Sequence, residues 1–214
     1  MLGTGRAAIA GFFLVGASAL TTLGVSHGLG AFAGQTDNSG NAFTTAPSFT
    51  NAGYHDPSTE AATSGGNNDG FELNPTYAYA DDAFYAANAG GPWDRHFYYN
   101  FNVAPPAGST IEGIRVRLDW WLDSVVSDTG MGVELSWDGG ITWTSAKTDT
   151  TKIAVEHTAV LGGAADTWGR AWTPADLSNT NFRVRITCNC IGSGCDNRVF
   201  NLDWVAVNVY YTPP

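Results

Sequence analysis

The cysteine chemistry of this chain is confined to one short stretch, TCNCIGSGCDN, which begins at Thr187. The glycine-containing residues 191–194 would let the chain turn back and bring Cys190 opposite Cys195 at the mouth of a hairpin, where a disulfide can form. Such a bond is typical of an exported protein. Cys188 is then left over, either as a free thiol or as a link between chains. Three thiols alone indicate a metal site only weakly, since structural zinc takes four ligands.

Side chains that could carry out catalysis are present but scattered. The acidic residues predicted on strands occur singly; they are Glu112, Asp119, Glu134, Glu156 and Asp203. Nothing in the sequence marks two of them as an acid and base pair. The four histidines show no metal-ligand spacing, and no G-x-S-x-G nucleophile motif follows residue 33. The sequence therefore predicts a protein that is not an enzyme and has no cofactor.

Three short polar segments contain enough oxygen ligands to coordinate calcium, which takes six to eight. They are His55–Asp56, residues 67–69 (NND) and Asp81–Asp82, the last following a strand predicted over residues 77–79. None has the fixed spacing of a calcium loop. Ordinary turns are the favoured interpretation, and a structural calcium ion is the alternative.

Aromatic side chains are the other candidate binding groups, because their faces stack on the apolar faces of sugars. The candidates for outward-facing rings are Tyr98, Trp121, Trp168 and Trp172. They support the hypothesis of a carbohydrate-binding or adhesive module. The alternative for each ring is burial between a sheet and a loop.

Residues 136–143, SWDGGITW, predict a rigid hairpin turn. Asp138 can accept hydrogen bonds from the turn backbone, the glycines allow positive φ, and Trp143 can pack beneath the turn. The segment resembles the Asp-box, S-x-D-x-G-x-T-W, of sialidase-like propellers and other secreted β proteins, through Ser136, Asp138, Gly140 and Trp143. A single copy cannot build a propeller, so the resemblance implies a structural turn.

The elements that hold these groups are predicted to be strands. The chain has 26 glycines and 13% aromatic residues, and several segments alternate apolar and polar side chains. Inward positions are predicted at Ile114, Val116, Leu118, Trp120, Met131, Val133, Leu135, Trp137, Phe182, Val184 and Ile186. The only helical candidate is Thr173–Leu177, where a cap is followed by proline. Residues 71–214 are thus predicted to form an all-β, two-sheet antiparallel β-sandwich, jelly-roll-like in topology.

Two strands carry further expectations. In residues 96–103, HFYYNFNV, one face is predicted to hold Phe97, Tyr99, Phe101 and Val103, and the other His96, Tyr98, Asn100 and Asn102. The last strand, VFNLDWVAVNVYY, is apolar on both faces in its second half and changes phase near Trp204, so we expect it to be central and bulged. Residues 71–212 also resemble a β-sandwich module of secreted surface proteins of bacteria and archaea, which supports the fold more than a function.

The N-terminus predicts export. A short apolar run, residues 7–20, follows Arg6 and precedes Ala31-Phe32-Ala33, the pattern of a secretory signal over residues 1–33. The alternative is a retained, pilin-like hydrophobic helix, which eight glycines between Gly3 and Gly34 disfavour. The net charge of -10 excludes nucleic acid as an expected partner. The protein is predicted to be extracellular or on the cell surface, and to meet a membrane only during export.

Residues 30–44 resemble the start of proteins with SipW-dependent signal peptides, the group of the TasA and camelysin biofilm-fibre proteins. The matching segments are Gly30–Ala33, Thr36-Asp37 and Gly40–Thr44, although Gln35 stands where that group often has an aromatic residue. The resemblance implies that residues 34–50 form a strand, through Ala42, Phe43, Ala46 and Phe49, which completes the sheet of a neighbouring subunit in a filament. Pairing within its own domain is the alternative. Residues 51–70 are predicted to be a polar loop or linker.

Overall fold

A computed structural model of the chain describes residues 49–63, 70–88, 93–126, 128–190, 195 and 197–214. Within these residues the fold is almost entirely β-structure. Two five-stranded antiparallel sheets are present, as the alternating sequence pattern predicts. The predicted all-β sandwich is therefore confirmed.

Ten strands within the described residues make up the sheets. They are β1 Thr50–His55, β2 Thr59–Thr63, β3 Ala86–Ala87, β4 Arg95–Tyr99, β5 Thr110–Leu122, β6 Thr129–Ser136, β7 Lys147–Asp149, β8 His157–Gly162, β9 Arg183–Cys190 and β10 Phe200–Thr212. The first sheet has the order β1-β10-β5-β8, with β3 also paired to β10, and the second has the order β2-β4-β9-β6-β7. Consecutive strands frequently lie in different sheets, which is typical of jelly-roll-like topologies.

The core lies between the sheets and contains the apolar positions that the alternation predicts. Side chains with no exposed surface come from β5, β6, β9 and β10; they include Ile114, Val116, Leu118, Trp120, Met131, Val133, Leu135, Val184, Ile186, Val205 and Val207. Trp137, also predicted to point inward, is only partly buried and packs against this core. Residues 49–214 form one compact unit, so a single core stabilises both sheets.

The prediction of a polar loop over residues 51–70 is wrong, because this segment contains strands β1 and β2. Each strand stands at the end of the strand order of its sheet. A strand in such a position needs few buried side chains, and four of the six residues of β1 are exposed. Because of this polar composition, the sequence pattern did not indicate the edge strand of each sheet.

The alternation predicted for residues 96–103 ends at Tyr99. His96 and Tyr98 are buried, whereas Phe97 and Tyr99 are half-buried and lie on the other face of β4. Asn100 then adopts a φ of 59°, a left-handed conformation that interrupts the strand. Beyond this break Phe101 is buried with the opposite phase. The predicted alternation is correct over β4. After Asn100 it is wrong, because the change in backbone direction turns Phe101 into the core instead of onto the face of Phe97 and Tyr99.

Strand β10 is central and bulged, as predicted. It pairs with β1, β3 and β5. Leu202 lies opposite Trp120 and Trp204 lies opposite Asp119, so Asp203 has no counterpart in β5. A bulge of this kind redirects one side chain and increases the local twist. It turns Asp203 out of the regular alternation of β10.

The helical candidate after Trp172 is a 3₁₀ turn, Pro174–Leu177. The Thr173 hydroxyl accepts from the Asp176 N–H, and the Asp176 carboxylate accepts from the Thr173 N–H at 2.8 Å. This reciprocal capping box satisfies backbone donors that a helix start leaves unpaired. Proline at the first position fits the prediction made from its fixed φ.

The predicted Cys190–Cys195 disulfide is present, with the two Cα atoms 5.6 Å apart. Cys188 is a free thiol that is completely buried in the core. Burial raises the pKa of the Cys188 thiol well above its usual value. A disulfide between chains through Cys188, the alternative left by the sequence, does not fit a completely buried thiol.

Much of the predicted N-terminal organisation lies outside the described residues. This applies to the signal segment 1–33 and to Ala42, Phe43 and Ala46 of the predicted assembly strand. The filament hypothesis therefore stays a prediction. Phe49 is described, and its ring contacts the edge of Tyr210 in its own chain at a centroid distance of 5.5 Å. Across the described part of the chain, no helix has the length and hydrophobicity to span a bilayer.

Asp149, at the end of β7, should make the fold sensitive to acid. Partial burial works to raise the pKa of Asp149, but hydrogen bonds from His157, Thr151 and Trp120 outweigh it and lower the pKa below 3.8. A carboxylate with a depressed pKa stabilises the folded state fully above the unfolded value, and this contribution is lost as the pH falls through the folded value. Below about pH 4 we expect urea midpoints to fall as the pH is lowered, because protonation of Asp149 removes these hydrogen bonds. In Asp149→Asn the decline should be shallower, and an unchanged pH profile would contradict the assignment.

Candidate functional site

Three of the four aromatic side chains predicted to face outward are buried, so their prediction as exposed rings is wrong. Tyr98 has no exposed surface, and Trp168 and Trp172 are each 5% exposed. The indole N–H of Trp168 donates to the Ile114 carbonyl at 2.8 Å, and that of Trp172 donates to the Thr167 carbonyl at 2.8 Å. These tryptophans fix the segment between β8 and the Pro174–Leu177 turn against the sheets. Their role is structural.

The Asp-box residues form the predicted rigid turn. The Asp138 carboxylate accepts from the N–H groups of Ile141 and Thr142 at 3.1 and 2.8 Å, and Ser136 donates to it at 2.9 Å. Partial burial opposes these bonds, yet they lower the pKa of Asp138. Gly140 has a φ of 98°, and its carbonyl accepts from the indole of Trp143 at 3.1 Å. The turn therefore satisfies its own polar groups, which leaves it little to offer a ligand.

The outer surface of the second sheet carries aromatic rings, but arginines cover them. The Trp143 ring stacks on Phe97 with centroids 5.0 Å apart, and the Arg185 guanidinium lies 4.2 Å from the Trp143 centroid. The Arg183 guanidinium lies 4.1 Å from the centroid of Tyr99. Arg185 is held in place by Glu134, whose carboxylate accepts its Nε–H at 2.7 Å. Because cations already occupy these ring faces, this surface is a poor sugar platform.

A second group of aromatic rings is uncovered. These rings surround a cleft of about 340 Å³, which we call the aromatic cleft. The cleft is formed by the segment of residues 73–87, which ends in β3. Its lining residues are Leu73, Asn74, Tyr77, Ala83, Phe84, Tyr85 and Ala87. Phe84 is 60% exposed, Tyr85 44% and Tyr77 42%. Clustered exposed rings of this kind mark binding surfaces in soluble proteins.

Backbone hydrogen bonds and two unusual residues position the cleft. Leu73 and Ala87 exchange two N–H···O bonds of 3.0 Å, which closes the base of the segment. Asn74 and Ala83 have φ values of 52° and 72°. Alanine has no side-chain hydrogen bond to support that conformation, which costs roughly 1–2 kcal/mol. Strain of this kind is retained where the surrounding structure holds a segment in a required shape.

Sequence reasoning missed the cleft because it assigned residues 77–79 to a strand. The structure has a 3₁₀ turn at Pro75–Ala78 instead. Pro75 after Asn74 is the signal that could have indicated a helical start, since proline is favoured at the first helical position. Tyr77, Phe84 and Tyr85 follow no period of two, which is also typical of a loop.

One predicted residue does lie beside the cleft. Trp121 is half-buried, and its ring meets Tyr85 edge-on with centroids 4.8 Å apart. It extends the aromatic surface beyond Tyr85. Trp121 is therefore the one predicted outward aromatic that the structure brings together with the exposed rings.

The arrangement can bind flat apolar surfaces and hydroxyl groups. Tyr77 and Phe84 are tilted by 59° with centroids 5.4 Å apart, so the two rings do not cover each other. The tyrosine hydroxyls and the Asn74 amide supply hydrogen-bond donors and acceptors. The lining residues include no acid, histidine or cysteine.

Comparison with known proteins gives weak similarities only. No family model and no curated protein matches the chain. Among solved structures it is similar to a truncated AlyQ with CBM32 and alginate lyase domains (12% identity, TM-score 0.40, covering 76% of this chain and 34% of that one). It is also similar to a CBM4 structure, with 11% identity and a TM-score of 0.39, covering 61% of this chain and 87% of that one. A third similar structure is TmCBM61 in complex with β-1,4-galactotriose, with 10% identity and a TM-score of 0.37, covering 72% of this chain and 90% of that one. The chain thus spans about a third of the AlyQ protein, and similarity this low carries no inference about function.

Proposed function

We propose that the protein is a non-catalytic carbohydrate-binding module of the cell exterior, and that it binds glycans in the aromatic cleft. The observation that carries the proposal is the exposure of Phe84, Tyr85 and Tyr77 around one concavity. One exposed phenylalanine alone would mean little, but Phe84 is clustered with two exposed tyrosines around the same concavity, as in a binding surface.

The shape of the cleft favours sugar rings over larger partners. A volume of about 340 Å³ admits one or two pyranose rings. Sugars present C–H groups on one face, which stack on aromatic rings, and hydroxyls at their edges, which tyrosine and asparagine can bind. The Trp121 and Tyr85 pair would continue the contact along a longer glycan. The Cys190–Cys195 disulfide supports a location in an oxidising compartment.

Removing the cleft rings should weaken glycan binding. We expect Phe84→Ala and Tyr85→Ala each to weaken binding about tenfold or more, since one stacked ring contributes on the order of 1–2 kcal/mol. Affinity electrophoresis against soluble neutral and acidic polysaccharides would identify a bound polymer, and calorimetry with its oligosaccharides would give Kd.

Tyr54→Ala is the matched control, because Tyr54 is also exposed, at 36%, but lies on β1. It should bind as the unmodified chain does. Retained binding in the double variant Phe84→Ala/Tyr85→Ala would rule out the cleft. A failure of the unmodified chain to bind any polysaccharide, together with capture of a protein through the same rings, would replace the glycan with a protein partner. The filament hypothesis is independent of this result and stays a prediction.

A further inference from the structure

Three carboxylates from distant parts of the sequence converge beside the aromatic cleft. Asp81 lies in the loop that leads to Phe84, Glu156 directly precedes β8, and Asp203 is the bulged residue of β10. One oxygen of each lies within 4.8 Å of the others. Like charges at this separation repel, so the folded chain assembles them at a cost that something must offset.

Asp203 makes the cluster more than a group of surface acids. The residue is only 1% exposed, and neither carboxylate oxygen has a hydrogen-bond partner of normal geometry. Burial and the charge of Glu156 raise the pKa of Asp203 to about 6, although the N–H groups of Ala83 and Asp82 partly offset them. A buried carboxylate that is compensated only by such weak contacts is unfavourable, and native proteins rarely keep one.

The nearby guanidinium of Arg117 does not compensate the charge of Asp203. Arg117 lies 2.7 Å from the Asp119 carboxylate and 3.2 Å from that of Asp81. Its ring contact is with Trp204, 4.5 Å from the centroid. Arg117 therefore compensates Asp119 and the exposed rim of the cluster, while Asp203 and Glu156 still face each other.

We infer that Asp81, Glu156 and Asp203 bind one calcium ion. All the converging ligands are carboxylate oxygens, which hard cations prefer over the nitrogen and sulfur ligands of zinc. Calcium accepts six to eight oxygens in flexible geometry, so backbone carbonyls and water can complete the shell. Magnesium requires a closer, nearly octahedral arrangement, which three side chains on separate segments are less suited to supply.

The ion would join three segments through their side chains: the cleft loop, the start of β8 and the β10 bulge. Asp81 is three residues from Phe84, so the ion would also fix the rings of the aromatic cleft. This second consequence rests on the proposed function. The metal site itself does not depend on it.

Calcium binding can be measured on the full chain without any glycan. After treatment with EDTA and buffer exchange, we expect calorimetry with CaCl₂ to show one site per chain. The unfolding temperature should rise by roughly 5 °C at saturating calcium, because a ligand that binds only the folded state stabilises it. MgCl₂ at the same concentration should give a much smaller shift. The absence of calcium binding, or an equal response to magnesium, would overturn the assignment.

Asp203→Asn is the decisive variant because it keeps the shape of the side chain and removes its charge. It should fold at least as well as the metal-free protein, since it removes an uncompensated buried charge, and it should lose the response to calcium. Asp128→Asn is the matched control, since Asp128 is exposed, lies outside the cluster and has a φ of 67° that asparagine tolerates.

The result is informative in either direction. An Asp203→Asn protein that binds calcium as tightly as the unmodified chain would disprove the site. If calcium binds and no glycan does, the metal site stands and the proposed function fails. If the glycan binds with equal affinity in calcium and in EDTA, the ion does not position the cleft rings.

Discussion

Trp120→Ala is expected to lower the free energy of unfolding by about 3–5 kcal/mol, the usual range for truncating a large core aromatic. Trp120 has no exposed surface, and its ring stacks on Phe200 with an interplanar angle of 15°. Its indole N–H also donates to Asp149 at 2.9 Å, which links the core to the end of β7. Urea unfolding followed by far-UV circular dichroism would measure the loss, with a fall in Tm of roughly 10 °C or more.

Trp121→Ala is the natural control because it changes the same residue type one position further along β5. Trp121 points to the opposite face and is only half-buried. We expect it to cost roughly 1 kcal/mol, since its ring is only half-buried and meets Tyr85 edge-on. It should instead weaken glycan binding. Equal losses of stability in the two variants would show that the assignment of faces on β5 is wrong.

Gly113→Ala should destabilise the fold by about 3 kcal/mol or more, since backbone atoms would have to move. A Cβ atom at Gly113 would lie 2.6 Å from the Ala164 carbonyl oxygen and nearer still to that of Gly163. The segment that follows β8 is held there by Ile114, whose carbonyl accepts from the Gly163 N–H at 3.1 Å and from the Trp168 indole. Thermal unfolding would measure the effect.

Gly163→Ala tests whether the clash is responsible rather than the loss of a flexible residue. A Cβ atom at Gly163 would meet no atom within 4 Å. Its stability should change by less than about 1 kcal/mol, because the added methyl group meets open space. A large loss at Gly163 together with a small loss at Gly113 would contradict the packing described for this segment.

The sequence predicted the fold well where burial dictates the side-chain pattern. Strands β5, β6, β9 and β10 each bury one or both faces, so apolar side chains had to recur with the period of the pleat. It failed for β1 and β2, because a strand at the end of a sheet can be polar. It also failed after Tyr99, where the positive φ of Asn100 reverses the face and no hydrophobic pattern records it.

The candidate site was harder to predict because it depends on tertiary contacts and loop conformations that leave no pattern in the sequence. Trp168 and Trp172 looked like ligand contacts because tryptophan serves both cores and binding surfaces, and only the tertiary structure separates the two uses. Tyr77, Phe84 and Tyr85 lie in a loop whose shape depends on Asn74 and Ala83 in left-handed conformations. Asp81, Glu156 and Asp203 are far apart in sequence, so no local spacing marks them as a group.

The stacking of basic side chains on aromatic rings also bears on which polymers the aromatic cleft could attract. Among the described residues, six basic side chains lie over aromatic rings; they are Arg115, Arg117, Lys147, Arg170, Arg183 and Arg185. The net charge of -10 already includes these cations, so the chain as a whole creates a negative field. Uronic acid and sulfated polymers would be repelled on approach. The proposed glycan ligand is therefore expected to be uncharged, and its binding should depend little on ionic strength.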